Sequence, residues 1–337
     1  MDQPARGRDP YDALLLVSFG GPEKREDVIP FLENVLRGRN VPRERLLAVA
    51  EHYYHFDGVS PINGQCRDLI TALQPKVNLP IYWGNRNWQP MLTDTVREMR
   101  DRGVARALTL ATSAFGSYSG CRQYREDIAA ACAVVEGAPK IDKIPPFWWD
   151  RCFIEGMVER LKDAMDRLPD ADIIFTAHSI PEAMAEASPY VRQLREAAQL
   201  IQGRLHLKGD PALVFQSRSG PPSQPWLEPD ISSYLKNTDS KRLIVVPLGF
   251  LSDHMEVVYD LDTELAEQAR ELGIEMVRAG TVGTHPVFVN LLAQMINELT
   301  ERGVRECDPN CCAPPVRPVG ASQGAVRPAN SRPTPPQ

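Results

Sequence analysis

The chain has 337 residues, enough to bury a large core and to suggest two domains or one large α/β unit. Its composition, 43% apolar and 24% charged, is that of a soluble globular protein, and a net charge of −6 leaves no basic footprint for nucleic acid. No apolar run approaches the ~18 residues of a membrane span, and the polar start Met1-Asp2-Gln3-Pro4-Ala5-Arg6-Gly7-Arg8 lacks the apolar stretch of a signal peptide.

Residues 1–10 read as a polar leader, and a first domain is expected over 11–145. It opens on the apolar run 12–19, a buried strand stopped by Gly20-Gly21-Pro22. Helices are expected near 27–36 and 43–54, a short strand over 81–84, and a helix of period near 3.6 over 91–102. A strand over 107–112 and a helix over 120–135 complete this half, and Pro145-Pro146 marks the junction. The second domain, 146–306, repeats the scheme: helix 150–168, strand 172–177, helix 190–205 and strands 213–217 and 243–247. A helix over 255–272, a strand near 275–277 and a closing helix over 288–302 follow. Such alternation predicts an α/β fold of two Rossmann-like domains, each a mostly parallel sheet flanked by helices. Ligands of such sheets bind beyond the carboxyl ends of the strands. A cysteine cluster occupies 307–312, and the Pro-rich stretch 313–337 lacks any apolar pattern and is expected to be disordered.

Three strand ends carry unusual chemistry. His178 follows the strand at 172–177, where a neutral imidazole can bind a metal or accept a proton. A histidine that only caps the next turn has the same address. The second is 248–264, where Ser252 or Asp253 is the expected N-cap of a helix bearing Glu256, Asp260 and Glu264 at i, i+4 and i+8. Three like charges on one face repel. They form either a solvated acidic face or a row of oxygen ligands for a divalent cation. His254 and Glu256, two residues apart, cannot both face the cleft from a regular helix. The third is the proline-rich loop after 213–217. It lacks phosphate-loop glycine spacing, and neither GxGxxG nor GxxxxGK[ST] occurs in the chain, so nucleotide binding has little support.

The motifs Thr176-Ala177-His178-Ser179-Ile180-Pro181, Gln216-Ser217-Arg218-Ser219-Gly220-Pro221 with Trp226-Leu227, and Phe250-Leu251-Ser252-Asp253-His254-Met255-Glu256 resemble those of the ferrochelatase family. So do Leu15-Leu16-Val17-Ser18-Phe19-Gly20-Gly21-Pro22 and Gly58-Val59-Ser60-Pro61-Ile62-Asn63, and the resemblance runs in order over about 11–306. It implies chelatase-type domains with a porphyrin cleft between them, and insertion of ferrous iron. The stretch Ser117-Tyr118-Ser119-Gly120-Cys121-Arg122-Gln123-Tyr124-Arg125 is similar to the actinobacterial-type branch. That branch implies coproporphyrin III as substrate and its iron complex, coproheme, as product in haem b biosynthesis.

Carried over by position, the resemblance implies that His178 and Glu256 face each other across the insertion site, as base and carboxylate or as ligands of the incoming Fe²⁺. Asp260 and Glu264 match further acidic positions and a metal route, and Ser60, Tyr124 and Tyr53 match porphyrin contacts. Phe19 stands where a related group has a ligating tyrosine, so no axial ligand is expected there. Imidazole and carboxylate suit the task, because they bind Fe²⁺ without the tight hold of thiolates.

The resemblance also implies a [2Fe–2S] cluster, with one thiolate from the start of the second domain and three from the C-terminus: Cys152, Cys307, Cys311 and Cys312. The adjacent Cys311 and Cys312 depart from the family's spacing, and unliganded tail thiols or a structural zinc are the competing expectations. Cys66, Cys121 and Cys132 are expected as small core residues. Seven cysteines do not read as a disulfide framework, and a cytoplasmic monomer is expected, with no nucleic-acid partner. The rivals are the same chemistry on protoporphyrin IX, a cobalt or nickel chelatase, and a non-catalytic porphyrin-binding redox or iron sensor.

Overall fold

A computed structural model describes residues 10–38, 41–220, 223–305 and 307–314. The leader up to residue 9 and the Pro-rich tail from 315 lie outside the described residues. The first half carries β1 (Ala13–Ser18), α1 (Val28–Val35), α2 (Arg43–Tyr54), α3 (Ile62–Leu73), β2 (Ile81–Asn85), α4 (Leu92–Asp101), β3 (Arg106–Ala111), α5 (Gln123–Ala133) and β4 (Lys140–Lys143). The second carries α6 (Arg151–Arg167), β5 (Asp172–His178), α7 (Glu182–Glu186), α8 (Tyr190–Arg204), β6 (Ala212–Gln216) and α9 (Ile231–Asn237). It continues with β7 (Arg242–Val246), α10 (Met255–Tyr259), α11 (Ala266–Glu271), β8 (Glu275–Arg278) and α12 (Pro286–Arg302).

The strands form two four-stranded sheets of the same order, β2-β1-β3-β4 and β6-β5-β7-β8, with every pairing parallel. The predicted two-domain α/β architecture therefore forms. In each sheet the first strand lies inside, so the strand order reverses between β1 and β3 and again between β5 and β7. Those switch points open a crevice at the carboxyl ends of the strands.

Side chains alternate along each strand with period two. Leu14, Leu16, Leu108 and Leu110 point into the same core as Phe175, Ala177, Ile244 and Val246, packed with α6, α8 and α12. Ala13, Leu15, Val17 and Ala107 face α4 and α5, while Ile174, Leu243 and Val245 face α9, α10 and α11. One apolar layer thus runs through both domains. Asn297 of α12 also donates to Lys76 O at 3.0 Å, joining the last helix to the first domain. No helix among the described residues is long and apolar enough to cross a membrane.

Four departures from the sequence expectation matter. Helices α3, α7 and α9 and strand β4 were not expected. β4 is a short, charged edge strand whose Asp142 accepts from Tyr11 Oη (3.0 Å) and Arg106 Nε (2.9 Å). The helix expected over 255–272 is interrupted by a π-helical turn at Asp260–Leu265, and the one over 120–135 opens on another at Tyr118–Arg122. The N-cap of α10 is His254, with no side-chain cap, rather than Ser252 or Asp253. Asp253 is instead committed to Arg278 (3.2 Å) and Thr281 Oγ1 (3.1 Å).

Candidate active site

His178 is the last residue of β5, beside the switch point. Its Nε2 lies 3.3 Å from Glu256 Oε1, and Nδ1 is held by the carbonyl of Ser179. A carbonyl only accepts, so Nδ1 carries a proton and Nε2 is the atom turned to the carboxylate. Burial alone would lower the imidazole pKa, but the charge and hydrogen bond of Glu256 outweigh it and push it up to about 9. Burial likewise works to raise Glu256, and His178, followed by His254, holds it down at about 2. The resting pair is imidazolium and carboxylate. Glu256 is 48% exposed, so water weakens this pair relative to a sealed one.

The surrounding chain fixes this pair from the backbone outward. Gln216 Nε2 donates to Glu256 O at 2.7 Å, and its Oε1 accepts from Thr176 Oγ1 at 3.0 Å. Tyr190 Oη donates to His178 O at 3.1 Å. Gly249 brings the loop after β7 against β5: a Cβ there would meet Ala177 Cβ at 2.7 Å, closer than real contacts allow.

The structure corrects the expectation that His254 and Glu256 exclude one another. His254 is an extended residue at φ −144°, outside the helix, and its Nε2 lies 4.0 Å from Glu256 Oε2. Burial lowers its pKa. His254 therefore joins His178 at the carboxylate, and its position just before the helix was the signal that sequence reasoning missed.

Asp260 is raised to about 7, first by burial and then by the charges of Glu256 and Glu264. Against these, Ser217 Oγ donates to Asp260 Oδ2. The backbone of Ser217 is left-handed, φ +63°, which turns its hydroxyl toward this carboxyl at the end of β6. An unbroken α-helix rotates by about 40° for every four residues. The wider π turn reverses this drift, so Glu256, Asp260 and Glu264 remain within electrostatic reach along one side. Opposite this stripe lies α2 of the first domain. His52 stacks on Tyr259, centroids 3.9 Å apart and planes at 10°, and Tyr53 is pushed up by burial and by Glu256 and Asp260.

Of the expected porphyrin contacts, only Tyr53 falls within range of the pair. Ser60 is buried against the turn after β1, its N–H donating to Pro22 O at 2.9 Å. Tyr124 packs among Val17, Leu92 and Val96 beneath Arg86, whose guanidinium lies 4.5 Å from the ring centre.

The implied iron–sulfur ligands do not assemble as a set. Cys152 is fully buried in the shared core, where burial pushes its thiol up. Its N–H donates to the N-cap Asp150 at 2.9 Å. Cys121, expected as a core residue, is the one that meets the tail cysteines: Cys312 hydrogen-bonds it, and Lys143 Nζ lies 3.4 Å from its sulfur. These two contacts, the thiol first, hold Cys121 down at about 6 against burial. Among the described residues, no group of three or more His, Cys, Asp or Glu side chains is arranged to hold a metal ion as it stands.

The chain matches a family model described as Ferrochelatase over residues 11–300. It is 48% identical over 347 aligned residues to a ferrochelatase of Rhodopirellula baltica, covering 93% of this chain and 99% of that protein. To the coproporphyrin III ferrochelatase of Mycolicibacterium smegmatis it is 49% identical over 306 residues, covering 86% and 90%. To that of Streptomyces coelicolor it is 45% identical over 365 residues, covering 95% and 97%. Among solved structures, the cobalt-bound sirohydrochlorin chelatase SirB of Bacillus subtilis subspecies spizizenii aligns with a TM-score of 0.56. The alignment covers 86% of this chain and 95% of that one at 13% identity, a likeness of fold.

Proposed function

The chain belongs to the ferrochelatase family, and on that premise we propose that it inserts ferrous iron into coproporphyrin III, giving coproheme. The observation that carries the reading is the His178–Glu256 pair, 3.3 Å apart at the switch point of the second sheet. The substrate is favoured by the actinobacterial relatives bearing that name. The domains are taken as 11–145 and 146–306.

Metalating a porphyrin removes two pyrrole protons and strips water from the ion. His178 takes pyrrole protons at Nε2, which it can do only after yielding the proton it shares with Glu256. A divalent cation approaching Glu256 competes with that proton and lowers the imidazole pKa. Asp260, with a pKa near 7, is the next carboxyl along the helix and accepts or releases a proton at neutral pH. Glu264 continues the same route, and weak oxygen ligands let the ion move on. Tyr53, and more remotely Ser60 and Tyr124, serve the porphyrin and its carboxylates. A [2Fe–2S] cluster on the C-terminal thiols is part of the proposal. Its support is the approach of the Cys311 and Cys312 sulfurs to 3.5 Å, and no step of the insertion passes through it.

The test is anaerobic turnover with Fe²⁺, following loss of free-porphyrin fluorescence for coproporphyrin III and protoporphyrin IX side by side. Faster metalation of coproporphyrin III is expected. Preference for protoporphyrin IX would overturn the substrate, and binding of either without turnover would make the chain a porphyrin-binding protein instead.

A further inference from the structure

Five carboxylates lie between residues 253 and 264, and the stripe uses three of them, Glu256, Asp260 and Glu264. The other two, Asp253 and Asp262, share one arginine. Arg278 grips Asp262 with two prongs, Nε to Oδ1 at 2.6 Å and Nη2 to Oδ2 at 2.8 Å. The same guanidinium reaches Asp253, Nη1 to Oδ1 at 3.2 Å and Nη2 to Oδ2 at 3.4 Å. Burial works against its charge, and the two carboxylates outweigh burial and raise its pKa. The planar fork of arginine suits this double grip, which a lysine ammonium does not reproduce.

These two carboxylates flank the helix that starts the stripe. Asp253 precedes the N-cap His254, and Asp262 stands inside the π turn Asp260–Leu265. Arg278 therefore spans α10 from outside. Its own footing is firm: it ends β8 in register with Val245 of β7, and its carbonyl accepts from Arg167 Nη2 at 2.8 Å. Asp253 is anchored as well, accepting from Thr281 Oγ1 at 3.1 Å while its N–H donates to Gln65 Oε1 at 2.8 Å. A π turn is rare because an ordinary helical turn competes with it. The grip on Asp262 is a contact from outside the helix that opposes such closure. The inner carboxylate has a separate hold, since Gln216 Nε2 donates to Glu256 O at 2.7 Å.

We propose that Arg278 is a positioning residue that holds the π turn open and so aims Glu264, the outer end of the stripe, at the path of the incoming divalent cation. The inference rests on the ferrochelatase reading above and adds a residue to it. Arg278 acts through Asp253 and Asp262, so it governs entry of the ion rather than proton transfer at His178. A purely electrostatic role has the opposite sign: a cation beside the route repels Fe²⁺, and removing it would tighten binding.

The test is anaerobic steady-state metalation by full-length wild type, Arg278→Lys and Arg278→Gln, with Fe²⁺ and porphyrin varied in turn, well below the Tm of each. Both variants should raise the KM for Fe²⁺ roughly tenfold, with kcat and the porphyrin KM near wild type. A wild-type KM for Fe²⁺ in Arg278→Lys, a lowered one in Arg278→Gln, or a loss confined to kcat would overturn the inference. Should Arg278→Gln fail to fold, Asp262→Asn replaces it. Its amide oxygen accepts one prong in place of two, so the KM for Fe²⁺ should again rise, and an unchanged value overturns the inference. A wild type that binds porphyrin without metalating it would sink the ferrochelatase reading instead. Zn²⁺ titration of wild type and Arg278→Lys then decides: weaker binding by the variant supports the brace, and equal binding, or none by either, overturns it.

Discussion

The His178–Glu256 cleft and the Cys121 corner gather two different kinds of side chain at two places in the fold. The cleft offers imidazole and carboxylate, charged groups that compensate one another and remain partly open to water. The corner offers soft sulfur, with Cys121 and Cys312 buried and flanked by basic side chains. Hard, hydrated ligands exchange an ion readily, and buried thiolates retain it. The difference separates open groups that could pass an ion on from buried thiols that are out of its path. Both sites depend on a π turn, which aims the acidic stripe in one case and Cys121 in the other.

The sharpest way to break this contrast is His178→Ala. It should lower kcat for porphyrin metalation by ~10²-fold or more, while the urea midpoint stays near that of wild type. Loss of both together would mean that the imidazole serves the fold rather than the chemistry. Next is Gly249→Ala, whose added methyl collides with Ala177. It should destabilise the fold by about 1–3 kcal/mol in urea titrations and reduce turnover through the displaced end of β5. Normal stability would show that the close approach of this loop to β5 is not needed.

A smaller effect is expected from Ser217→Ala, which removes the hydrogen bond that favours ionised Asp260. The carboxyl pKa then rises further above 7, and the acid limb of the kcat profile should move to higher pH with little change in KM. An unmoved limb would remove Asp260 from the proton path.

The smallest effect concerns stability. His178 is raised from 6.5 to about 9, so its contribution is complete below pH 6.5 and fades as pH climbs through 9. Glu256 is lowered from 4.5 to about 2, so its contribution is complete above pH 4.5 and fades as pH falls toward 2. The Tm difference between wild type and Glu256→Gln should therefore be widest between pH 4.5 and 6.5. A flat difference across that range would mean that water screens the pair completely.

The alternation of strands and helices was legible because burial on both faces leaves apolar runs such as Leu14–Val17 and Leu243–Val246. Strand β4 was not, since Lys140-Ile141-Asp142-Lys143 is polar and forms only beside β3. His178 and Glu256 could be named from their motifs, but the third member, His254, depended on where a helix begins. Helix starts without a capping side chain leave little trace in sequence. The π turns left none, because a shift in hydrogen-bond register changes no residue type. The meeting of Cys121 with the tail was hidden for a different reason: it lies 191 positions from Cys312, and only the returning tail shows that they meet.

The π turn at Asp260–Leu265 makes this helix sensitive to count rather than to identity. Removing any one residue between 260 and 265 would let the backbone close an ordinary turn, a local gain in hydrogen-bond geometry. Glu264 and everything after it would then swing around the helix axis, and the stripe would part in the middle. Conservative exchanges in this turn keep the register, whereas a single-codon deletion would disconnect the outer end of the stripe from the inner. Length, at this spot, is the inherited instruction.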